Sequence, residues 1–105
     1  MSNILAVVNY DGEFYGGIWN SWRDFYSDTF SPEYETFYCY DFTTKGKTYK
    51  DRKSYVQNCA IGWSNVCGLM DNDFSQGEWL IVESEFRRLG KRYGLLKEFA
   101  ANCIC

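Results

Sequence analysis

A chain of 105 residues, 46% hydrophobic and 24% charged, is long enough for one hydrophobic core, too short for two, and too apolar for disorder. Histidine is absent, which removes the commonest general base and every Ser–His or Cys–His pair. No apolar run reaches a membrane span, and residues 4–8 lack the length and basic flank of a secretory segment, so a cytoplasmic protein without membrane contact is expected.

Residues 3–10 read as a strand, and Asp11-Gly12 is a strong two-residue hairpin signal with a return strand over 13–18. Ser21 followed three residues later by Asp24 fits a capping box, and Trp22, Phe25 and Tyr26 share one face of a two-turn helix stopped by Ser31-Pro32. Residues 33–43 alternate with period two. That pattern predicts a strand with Tyr34, Thr36, Tyr38, Tyr40 and Phe42 on one face and Glu33, Glu35, Phe37, Cys39 and Asp41 on the other.

Thr48 and Asp51 form a second box before a helical run, Val56, Cys59, Ala60, Trp63, Val66 and Cys67, which stops at Gly68. Gly62 is expected to weaken or break this helix. Residues 69–77 read as a polar loop. Its Asp71–Gly77 stretch resembles the start of a calcium-binding EF-hand loop, but the glycine and the following acid each fall one place late. The apolar run Trp79–Val82 is expected to be a fourth strand. Ser84 would then cap a last helix carrying Phe86, Leu89, Tyr93, Leu96, Ala100 and Cys103 at spacings of three and four. These elements predict a single α+β domain over residues 1–105, with a small, largely antiparallel sheet of about four strands covered on one face by two or three helices.

Charge is distributed in blocks. Residues 1–42 hold one basic against seven acidic residues, a net of −6; residues 43–58 hold five against one, +4; residues 59–82 are −3 and residues 83–105 are +2. Five cysteines at irregular spacing make a poor disulfide framework and lack paired zinc knuckles, so reduced, mostly buried thiols, no metal and no cofactor are expected. No paired-carboxylate or phosphate-loop constellation is present, which points to a non-enzymatic chain.

Two candidate surfaces remain. Residues 10–42 hold 13 of the 21 aromatic and seven of the 14 acidic residues, an acidic-aromatic combination suited to protein docking through Trp19, Trp22, Tyr26, Glu33, Tyr34, Glu35, Tyr38, Tyr40 and Asp41. The second is a nucleic-acid surface of Arg87, Arg88, Lys91, Arg92 and Lys97. There, residues 88–95 resemble the first helix and turn of a helix-turn-helix unit, with 95–102 in the recognition position. In size, missing catalytic kit and acidic-aromatic composition, the chain resembles small accessory proteins of phages and mobile elements, although no motif carries the likeness. That resemblance implies an inhibitor of the anti-CRISPR or anti-restriction type that binds a larger host protein complex.

Overall fold

Burial of Ile4–Val8 on both sides organises the fold. The computed structural model describes residues 3–67 and 74–105. Its elements are β1 (Ile4–Tyr10), β2 (Glu13–Trp19), α1 (Trp22–Asp28), β3 (Tyr34–Tyr40), α2 (Tyr49–Val66), α3 (Gln76–Tyr93) and α4 (Leu96–Ala101). The α+β class is as expected. The strands form one antiparallel sheet in the order β2-β1-β3. An unbroken apolar run rather than an alternating one is the mark of a strand covered on both faces, and β1 carries one.

Leu5 and Val7 face one core with Tyr40 of β3 and with Val56, Trp63, Phe86, Leu89 and Phe99, drawn from α2, α3 and α4. Ile4, Ala6 and Val8 face a smaller core that Phe25 of α1 closes, with Trp19, Trp22 and Tyr34 around it. Helices therefore lie on both faces of the sheet, not on one.

A β-bulge corrects the reading of β3. Val7 pairs with Tyr38 but Val8 pairs with Thr36, so Phe37 has no partner. The extra residue reverses the alternation, because residues opposite each other in an antiparallel pair share a face. Tyr38 and Tyr40 fall on the α2–α3 side with Val7 and Leu5, while Tyr34 falls on the α1 side with Tyr10. The aromatic residues of β3 thus divide between the two cores.

The fourth strand is absent: Trp79–Val82 lies inside α3. The governing signal is Ser75, whose hydroxyl accepts from the Glu78 N–H at 3.2 Å while the Glu78 carboxylate accepts from the Ser75 N–H at 3.1 Å. This reciprocal box starts the helix nine residues before Ser84, and Val82, Phe86, Leu89 and Tyr93 then fall on its buried stripe. The second Glu78 oxygen accepts the Ile18 N–H at 3.0 Å, covering part of the β2 edge. Ser75→Ala is therefore expected to cost about 1 kcal/mol, read as a lower urea midpoint at unchanged slope.

Gly62 does not break α2, which runs unbroken through it. A Cβ there would lie 3.1 Å from Tyr38 Cε1, so the missing side chain gives the Tyr38 ring its place against the helix. The Tyr38 hydroxyl donates to the Cys59 carbonyl at 2.6 Å on the same helix. Residues 71–73 of the calcium-loop resemblance lie outside the described residues. Of that stretch, Ser75 to Gly77 form the cap and first turn of α3.

Candidate functional site

Helix α1 is seven residues long and is held by one buried side chain, Phe25. Ser21 caps it by accepting the Asp24 N–H at 3.2 Å, and the Thr29 hydroxyl ends it by donating to the Phe25 carbonyl at 2.9 Å. So short a helix depends on packing rather than on propensity. Trp19 and Trp22 both meet the Phe25 ring edge-on, with centroids 5.0 and 5.9 Å away. Trp19 Nε1 also donates to Asp28 at 2.8 Å, tying β2 to the end of α1.

The outward face is aromatic and acidic. Tyr26 stacks on Trp22 at 5.7 Å and is 62% exposed, and Phe30 is 88% exposed. Asp24 and Asp28 share this helix with a single cation, Arg23. At the far end of the sheet, Tyr34 stacks on Tyr10 at 4.6 Å, and a hydrogen bond to Glu33 raises the Tyr10 phenol above its ordinary pKa. Between the two regions runs a groove of about 320 Å³ walled by Tyr10, Tyr15, Trp19 and Tyr34, with Asp28 at its rim. Tyr10, Tyr15, Asp28 and Phe30 were missed as site residues. The first two enter only through cross-strand pairing, whereas Phe30 adjoins the stop signal and was legible.

The expected protein-docking set is therefore split. Trp19, Trp22, Tyr26 and Tyr34 gather on the α1 side, and Glu33 joins them through Tyr10. Glu35 pairs with Asn9 on the opposite sheet face. Tyr40 is buried and donates to the Thr43 carbonyl at 2.7 Å, and Asp41 accepts from the Thr43 hydroxyl at 2.6 Å to close the turn. Tyr38 and Tyr40 thus build the core, and Asp41 shapes a loop.

Burial raises the Tyr38 and Tyr40 phenols well above their ordinary value of 10.0. The folded chain then keeps two protons that the unfolded chain releases. Their stabilising effect is complete below about pH 10 and declines as pH rises further. The expected result is alkaline unfolding in which the last tyrosine absorbance change at 295 nm coincides with loss of circular dichroism. Tyr38→Phe/Tyr40→Phe should flatten the decline.

The helix-turn-helix resemblance ends at the turn. Gly94 sits in the left-handed region at φ 67° and ends α3, but α4 is only six residues long and is folded back on its neighbours. Phe99 is buried, Glu98 accepts from Gln57 at 2.9 Å on α2, and the Asn102 amide donates to the Glu98 carbonyl. A recognition helix needs those polar side chains free. Arg87, Arg88 and Lys91 instead line a shallow depression of about 430 Å³ on α3 with Ser84. Arg92 follows one turn beyond Arg88, and Lys97 is exposed on α4.

All five cysteines are unpaired, but contrary to expectation none is buried: Cys39 and Cys103 are exposed and Cys59, Cys67 and Cys105 are half-buried, which pushes the Cys59 and Cys105 thiols up. Among the described residues no group of three or more metal-binding side chains is placed to hold an ion, and no helix is long and apolar enough to cross a membrane. No family model, no curated protein and no solved structure matches this chain.

Proposed function

We propose that this chain is a non-enzymatic protein-binding module that docks a larger protein through the acidic-aromatic α1 face. Within that reading its role is that of a small phage or mobile-element inhibitor blocking a host defence complex of the CRISPR or restriction type. One observation carries the proposal: Tyr26, stacked on half-buried Trp22, and Phe30, two residues beyond the end of α1, stand largely in solvent in a segment whose acids outnumber its cations.

Large rings exposed to water on a short helix and just after it offer much apolar area for few rotatable bonds, which is how interface anchors work. The carboxylates of Asp24, Asp28 and Glu33 select a basic partner surface and speed encounter with it. A protein groove that normally takes nucleic-acid phosphates has that charge, so occupation by this face would exclude the nucleic acid. The groove walled by Tyr10, Tyr15, Trp19 and Tyr34 suits the guanidinium or ammonium of such a partner, because ring faces attract cations.

The test is affinity capture of host defence complexes by tagged protein, compared with Tyr26→Ala/Phe30→Ala. Stoichiometric capture by the wild type and loss in the variant support the reading. Capture that survives the substitutions, or none from any such complex, overturns it.

A further inference from the structure

Ten of the eleven lysines and arginines lie in just two segments, residues 45–53 and 87–97. Folding joins those segments. The Tyr49 hydroxyl at the start of α2 donates to the Arg92 carbonyl at the end of α3, at 3.4 Å. Arg88 Nη2 donates to the Phe42 carbonyl at 3.3 Å, drawing the loop before α2 onto α3. Thr44, Arg92 and Arg52 lie against buried Tyr93 and lower its phenol pKa, although the hydroxyl makes no hydrogen bond of sound geometry. Lys45 stands 5.9 Å over the Tyr55 ring.

Among the described residues this surface is barely neutralised: the one ion pair is Arg88 with Glu85 at 3.3 Å. Lys91 and Arg92 suit the last turn of α3, where the helix dipole is negative. The cations at the start of α2 do not share that explanation. Lys47, Lys50, Arg52 and Lys53 crowd the positive end of an 18-residue helix, and Asp51 is the sole acid of its first turn. Repelling one another and the dipole, these charges destabilise the free fold locally. A bound polyanion would relieve that repulsion.

We propose that the joined α2 start and α3 end form a sequence-independent contact surface for the phosphate backbone of nucleic acid. It lies on the helical layer that covers the opposite sheet face from α1, and it is independent of the protein-docking reading. Arg88 and Arg92 are one helical turn, about 5.4–6 Å, apart and present a row of donors along α3. The loop lysines, Lys45 and Lys47, extend the row beyond the helix. Tyr49, 53% exposed within the cluster, is placed to stack on a base where the strand is single.

The test is fluorescence anisotropy of labelled mixed-sequence DNA of about 30 nucleotides, single-stranded and duplex, titrated with the full chain from about 25 mM salt upward. With about four phosphate contacts, binding should weaken between 50 and 200 mM salt by roughly 150-fold for duplex and roughly 50-fold for single strand. Neither Lys47 nor Lys91 has a side-chain partner among the described residues, so Lys47→Glu/Lys91→Glu should fold normally and bind at least tenfold more weakly. If that pair impairs folding, Lys47→Gln and Lys91→Gln singly should each reduce affinity and flatten the salt slope. Tyr49→Ala should weaken only the single-stranded probe. Absence of binding to both probes at the lowest salt, wild-type affinity in the lysine variants, or equal affinity for polyglutamate overturns the proposal.

Discussion

Phe86→Ala is expected to remove about 3–5 kcal/mol of stability, a large part of what a domain of this size has. Phe86 is fully buried on α3 at the point where three parts of the chain meet. Its ring lies 6.1 Å from Tyr40 on β3, 5.3 Å from Phe42 in the following loop and 6.0 Å from Phe99 on α4. Removing it leaves a cavity between β3, the loop after it and α4. Phe42 cannot readily move in to fill it, because that residue already holds φ 61°, rare for a bulky side chain, and its carbonyl is bonded to Arg88. Urea unfolding followed by circular dichroism should show a midpoint shift of the stated size. A loss below about 1 kcal/mol would mean that the elements repack freely and that Phe86 is not their common contact.

Tyr26→Ala/Phe30→Ala is expected to act in the opposite sense, leaving the fold intact and removing partner binding. Neither ring belongs to the cores, so the unfolding midpoint should stay within experimental error of wild type. At a docked interface, a central anchor ring typically contributes about 2 kcal/mol or more. Each substitution should therefore lower affinity by roughly 30-fold, and the pair by more, unless the two rings are coupled. Calorimetry against the captured partner would read the change directly. Phe86→Leu is the control, because a conservative core change should lower stability while leaving the affinity of the remaining folded protein unaltered.

The two variants also divide the aromatic residues by role, which alternation alone could not do. Tyr34, Tyr38 and Tyr40 look equivalent in a period-two strand. The unpaired Phe37 reverses the faces partway along, so that one tyrosine meets α1 and the others meet α2 and α3. A bulge depends on pairing with a distant strand, and no local pattern announces it. The α3 error has a different origin. Ser75 and Glu78 are a complete capping box and were legible, but Trp79–Val82 read as a strand because four apolar residues fit either structure when taken alone.

The residues by themselves determined the hairpin at Asp11-Gly12, the three helices begun by Ser21, by Thr48 and around Phe86–Tyr93, the α+β class and the separation of acidic from basic segments. Those features arise from turn chemistry, capping and short-range periodicity, which are local in the chain. Tertiary structure alone decided that β1 is covered on both faces, that Tyr38 and Tyr40 are core, and that Tyr26 and Phe30 are left in water. It also brought residues 45–53 against the end of α3, making one basic surface from two segments some forty residues apart. Each of these outcomes depends on which distant surfaces meet, and burial and charge contiguity are properties of that meeting rather than of any one stretch.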